Sequence, residues 1–96
     1  MTQTVEKPRV SGPGDTGLGG HWRVIVLNDD HNTFEGVATA LSSVLPGVSY
    51  DGGMAMANQI HNSGRAIVWS GARELAEHYW EQLGDRGLTL APLEQG

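Results

Sequence analysis

Apolar and polar positions along this chain keep one rhythm for a few residues and then change to another. From His21 onward, Trp22, Val24 and Val26 alternate with Arg23, Ile25 and Leu27, and a period of two predicts a strand. Phe34, Val37, Ala38, Leu41, Val44 and Leu45 then recur at helical spacing until Pro46-Gly47 ends the run. Asn32, followed three places later by Glu35, has the form of a capping box and predicts that this helix starts there. A second, weaker helix is expected from Ser49 or Asp51, carrying Met54, Ala57, Ile60 and His61 and stopping at Gly64. Gly52 and Gly53 lie in its first turn, and each disfavours a helix by up to ~1 kcal/mol relative to Ala. RAIVWS, residues 65–70, reads as a strand that Gly71 breaks. Residues 72 to 83 form the best helix, with Leu75, Ala76, Tyr79 and Leu83 on one face and Arg73, Glu77 and Glu81 on the other. LTLAPLE near the end predicts a last strand, at an edge or irregularity because Pro92 lacks a donor. The order β-α-α-β-α-β implies an α+β fold, a small three-stranded, mainly antiparallel sheet packed against three helices.

At 96 residues the chain has room for one small domain, which buries only ~60–65% of its unfolded surface. Residues 1–20 contain Gly12, Gly14, Gly17, Gly19 and Gly20 of the fourteen glycines, together with Pro8 and Pro13. With so little to pack, they are expected to be a flexible N-terminal tail, leaving 21–96 as the core domain. The net charge is -5, and Lys7, Arg9, Arg23, Arg65, Arg73 and Arg86 form no cluster in the sequence, which argues against nucleic acid as a partner. Cysteine is absent, so disulfides, thiolate metal sites and Cys nucleophiles are excluded. The first twenty residues lack a signal-peptide core, and the apolar run Val24 to Leu27 is far too short to span a membrane. A cytoplasmic protein is the expectation.

Chemistry concentrates in LNDDHNTFEG, residues 27–36, where the first strand hands over to the first helix. Asn28, Asp29 and Asp30 can be read as a turn whose side chains bond their own backbone, or as exposed polar groups used for binding. His61 sits beside the apolar stripe of its helix, reachable yet partly inward, a place that suits a structural histidine as well as a ligand-binding one. His31 and His78 read as solvent-facing, and no H-E-x-x-H spacing indicates zinc. An acid–base pair of Asp29 or Asp30 with His61 is conceivable. However, no G-x-S-x-G elbow, phosphate-cradling glycine loop or cysteine accompanies it, so the reading is of a non-enzyme without cofactor or metal.

Taken together, WRVIVLNDDHNTFEGV, then Ile60-His61-x-x-Gly64-Arg65-Ala66, then Glu74-Leu75-Ala76-Glu77 and the closing strand resemble the ClpS family of adaptors for ATP-dependent proteases. The likeness covers residues 21 to 94, and N-T-F-E, P-G and G-L-T-L-A-P-L-E look closer to the cyanobacterial and plastid branch. The resemblance implies recognition of proteins and peptides with a free destabilising N-terminal residue, the N-degron, and their delivery to a Hsp100 unfoldase of the ClpA or ClpC type. An N-terminal ammonium is all donor and no acceptor, so its receptor must present lone pairs at fixed positions. By the resemblance, Asn28, Asp29 and His61 hold the amine. Asp30, Asn32, Phe34, Val37, Ala57 and Ile60 line the slot for the first side chain, and Thr89 closes one end of it.

Phe34 stands where many members carry a methionine gate, Ala57 where many carry a larger methionine, and Asn32 where threonine is usual. Leu is therefore expected as the first choice, with Phe, Tyr and Trp also accepted. Glu74 matches a contact for docking on the unfoldase, although an acidic residue in a helix's first turn also stabilises that helix. Tyr79 replaces a common lysine on the same surface, and residues 1–20 correspond to the tail that engages the unfoldase. Two alternatives stay open: an adaptor that docks on and modulates the unfoldase with an altered pocket, and an Asp/His acid–base peptidase.

Overall fold

Strand β1, Trp22–Leu27, runs through the middle of the sheet in the computed structural model, which describes residues 21–96. The tail expected at 1–20 lies outside the described residues. The sheet order is β2-β1-β3, with β1 antiparallel both to β2, Arg65–Gly71, and to β3, Glu94–Gln95. Its central position explains why Val24, Ile25 and Val26 are all buried, although the sequence reads them as alternating. The register with β2 shifts between Val24 and Ile25: Val24 pairs with Trp69 and Ile25 with Ile67, leaving Val68 as an extra, bulged residue. The expected last strand is interrupted. Leu90 bridges to Val26 and the Ala91 N–H donates to the Ile25 carbonyl at 3.0 Å, but regular pairing resumes only at Glu94. Pro92, with no N–H to offer, stands in the gap.

Helix α1, Phe34–Val44, starts one residue later than the capping-box reading placed it. The cap is Thr33, whose hydroxyl accepts from the Gly36 N–H at 2.9 Å. The Asn32 side chain is drawn instead to Asp29 and to the Gly87 carbonyl. Helix α2, Tyr50–Ser63, is capped by Ser49, which accepts from the Gly52 N–H at 3.0 Å, and it ends on Gly64 in the left-handed region, φ 88°. Gly53, a liability by propensity, is the contact point of the helix pair. A Cβ there would lie 2.8 Å from the carbonyl oxygen of Ala38 and 2.9 Å from its Cα, so α1 and α2 approach this closely only with glycine at 53.

Helix α3, Arg73–Asp85, buries Ala76 and Leu83 against the sheet and α1. The face predicted for it is partly corrected: Leu75 is 46% exposed, while Trp80 turns inward and donates from Nε1 to the Ala91 carbonyl at 2.9 Å. The inward stripe therefore runs Ala76, Tyr79 and Trp80, Leu83, a spacing that leaves Leu75 on its outer flank. Val26, Val37, Leu41, Ala57, Ile60 and Leu83 form the centre of one continuous core. No helix among the described residues is long and apolar enough to cross a membrane.

Candidate functional site

The end of β1 and the end of α2 meet because the Asn28 N–H donates to the Gly64 carbonyl at 2.9 Å. Gly64 is the cap of α2, so this bond brings Asn28 close to the last turn of that helix, which carries His61. Asn28 and His61 are both exposed, and among the described residues neither side chain has a hydrogen-bond partner. The His61 ring instead meets Phe34 edge-on, with centroids 5.2 Å apart. The carboxamide oxygen of Asn28 and an unprotonated nitrogen of His61 remain free to accept.

Asp29, their neighbour, is fully engaged by the chain itself. Oδ1 accepts from the His31 and Asn32 backbone N–H groups, both at 2.8 Å, and Oδ2 from Asn32 Nδ2 at 2.8 Å and from the Thr89 hydroxyl at 2.7 Å. A carboxylate has about four lone-pair directions, and here each has a donor. The Thr89 hydroxyl, followed by the Asn32 backbone and side chain and the His31 backbone, holds the Asp29 carboxyl far below the usual carboxylate range, against the opposing effect of burial. The group is an anion at any pH near neutrality.

Asn28, Asp29 and His61 rim one cavity together with Asn32 and Phe34, while Val37, Ala57 and Ile60 supply its apolar floor. The space enclosed is about 20 Å³, room for roughly one water molecule and not for a leucine side chain. Phe34, half-buried, borders this space and stands edge-on against His61. Two residues assigned to the slot by resemblance do not line it. Asp30 is exposed to solvent, and Thr89 donates its hydroxyl to Asp29 instead. Four lining residues were absent from the expectation: Val26, Leu27, Thr33 and Leu88. The first two could have been found from their place as the last residues of β1 before Asn28; Leu88 carries no local signal, because only tertiary contacts bring it to the cavity. Among the described residues no three His, Asp or Glu side chains converge as a metal site requires.

The two residues expected to dock a partner are unlike each other. Glu74 is exposed in the first turn of α3. Tyr79 is half-buried, its ring edge-on to Trp69 at 5.0 Å and tilted against His78 at 5.5 Å, because it follows Ala76 by three positions and falls on the inward stripe.

Comparison with known proteins agrees with this architecture. The solved structure of Agrobacterium tumefaciens ClpS2 bound to L-phenylalaninamide superposes with a TM-score of 0.75 at 27% identity, covering 81% of this chain and 99% of that one. The ATP-dependent Clp protease adapter protein ClpS of Thermosynechococcus vestitus is 51% identical over 74 residues, 77% of this chain and 79% of its own length. A chloroplastic relative, the adapter CLPS2 of Chlamydomonas reinhardtii, is 35% identical over 81% of this chain and 44% of its own length. The family profile described as ATP-dependent Clp protease adaptor protein ClpS matches residues 19–93. With that match over most of its length and relatives of the cyanobacterial and plastid kind, the chain belongs to the ClpS family of Clp protease adaptors.

Proposed function

We propose that this adaptor binds the free N-terminus of proteins with a destabilising first residue, Leu foremost and Phe, Tyr and Trp also, and delivers them to a Hsp100 unfoldase of the ClpA or ClpC type. The observation that carries the reading is the cavity itself: acceptors on Asn28 and His61 that have no hydrogen-bond partner among the described residues stand at the rim of an apolar floor of Val37, Ala57 and Ile60. A client's ammonium donates to Asn28 and His61 within the field of the Asp29 anion, and the first side chain goes below. L-phenylalaninamide, the ligand of the Agrobacterium relative, combines an unblocked amine with an apolar side chain and so has the chemistry this rim and floor call for.

The cavity must enlarge to accept a side chain, and Phe34 is the group in the way. Rotation of its ring off His61 opens the floor. Burying a Leu or Phe side chain contributes roughly 1.5–3 kcal/mol, and each charge-assisted hydrogen bond about 1.5–3 kcal/mol. After association costs, a Kd on the order of micromolar is expected, weak enough for a client to be handed on. Exposed Glu74 offers α3 as the docking side, whereas Tyr79 contributes there by packing.

A fluorescence panel of peptides that differ only in the first residue, each with a free and an acetylated N-terminus, tests the reading. Free Leu-, Phe-, Tyr- and Trp-initiated peptides bind, and acetylation weakens them at least tenfold. The small cavity volume favours one rival, an adaptor that docks without using its pocket. Retained unfoldase binding with no affinity for any member of the panel would establish that rival instead.

A further inference from the structure

The four bonds to Asp29 divide into two kinds. Three come from residues two and three positions away and fold the β1–α1 turn. The fourth comes from Thr89, sixty positions along the chain. Asn32 Nδ2 has two hydrogens, and the one not given to Asp29 goes to the Gly87 carbonyl at 3.0 Å. The Thr89 carbonyl in turn accepts from the Leu27 N–H at 2.8 Å. The short stretch 87–89 is thus held to the turn by three bonds, and Leu88, between the fastened residues, is 7% exposed and faces the cavity.

We infer that Asp29 and Thr89 are positioning residues of the recognition site, a clasp that fastens segment 87–89 across the β1–α1 turn, seats Leu88 as a wall of the side-chain slot and fixes the direction in which Asn28 presents its carboxamide. The inference rests on the proposed recognition of a free N-terminus and deepens it. Asp29 has no lone pair left for a direct bond to the client amine unless one of its four donors is released. Asn28 is tied on one side by its own N–H to Gly64 and on the other by the clasped Asp29. Such a site gains affinity because the geometry is set before the client arrives. The far end of the clasp lies just beyond α3, so the turn, α2 and the C-terminal segment all contribute walls to one slot.

The test uses the full chain and a Leu-initiated peptide with a free amine. Thr89→Val keeps the shape and removes the hydroxyl, and a roughly tenfold loss of affinity is expected. Thr89→Ser restores the donor and should return affinity to within about twofold of the wild type. The loss from Thr89→Val should disappear in an Asp29→Ala background, because both changes open the same clasp. Circular dichroism confirms that each variant is folded, and Asp29→Asn replaces Asp29→Ala if the latter is not. Wild-type affinity in Thr89→Val, or full losses that multiply in the double variant, overturns the inference and leaves N-terminal recognition standing. A wild-type chain that does not distinguish free from acetylated peptide removes the parent reading and this inference with it.

Discussion

Two polar surfaces of this adaptor follow opposite rules. In the turn between β1 and α1, Asp29 and Asn32 are fastened by bonds of 2.7 to 3.0 Å, and beside them the Asn28 side chain has no hydrogen-bond partner among the described residues. On the first turns of α3, Glu74 and Leu75 project into solvent, and the defined pair there is an exposed Arg73–Glu77 contact at 3.1 Å. A pair of that kind contributes little and is screened by salt. The difference teaches what each surface is suited to. A small ammonium can be selected only by acceptors whose directions are set in advance, whereas a protein partner can be met by exposed side chains that adjust on contact.

The largest effect that can break this contrast is on peptide affinity. Asn28→Ala and His61→Ala should each weaken binding of a Leu-initiated peptide about 10- to 100-fold, matching about 1.5–3 kcal/mol for a charge-assisted bond. Glu74→Ala, by contrast, should leave affinity within about twofold. Equal losses by fluorescence anisotropy in all three would show that the two surfaces are not distinct. Next comes the frame on which the turn rests. Gly53→Ala places a methyl 2.8 Å from the Ala38 carbonyl, an overpacking that should cost about 1–3 kcal/mol and lower Tm by about 4–8 °C per kcal/mol in a domain of this size. A Tm equal to wild type in calorimetry would mean that α1 and α2 separate freely, and that the cavity between them is soft.

Acidification tests the engaged carboxylate of the turn. From about pH 7 to about pH 5 Asp29 should stay ionised. Its carboxyl is held far down by Thr89 first, then by Asn32 and His31, so its contribution to stability is complete above the unfolded value of about 3.9. That contribution fades only as pH drops below this value toward the folded one. Denaturant melts at pH 6 and pH 3 should show this loss in the wild type and a smaller one in Asp29→Asn. The smallest effect belongs to α3: Leu75→Ser, at a 46% exposed position, should change stability by no more than about 0.5 kcal/mol. A larger change would mean that this face is covered by something in solution.

Elements whose signal is local were legible in the sequence. The period of two at Trp22 to Leu27, the helical recurrence from Phe34 to Leu45, and glycine at 64 each act through residues a few positions apart, and each appears in the fold near the expected place. Leu75 was misassigned because one position of helix rotation, set by how α3 seats on the sheet, decides which flank is covered. Asn32 was misread as a cap because its side chain prefers Asp29 and the distant Gly87 carbonyl to the helix start beside it. For the site, the family resemblance groups Asn28, His61, Phe34, Val37, Ala57 and Ile60, and all of them border the cavity. It does not include Leu88 or give the reason for Thr89.

The order of strands and helices, the break at Gly64, and the gathering of amides and carboxylates after β1 were determined by the sequence alone, because turn, helix and strand preferences are properties of neighbouring residues. Only the tertiary structure decided which of those polar groups are free. Among the described residues the Asp29 side chain is hydrogen-bonded, in part by Thr89, whereas the side chains of Asn28 and His61 are not. A hydrogen bond between residues sixty positions apart forms only once the sheet, α2 and the segment after α3 have come together, and no local preference encodes it.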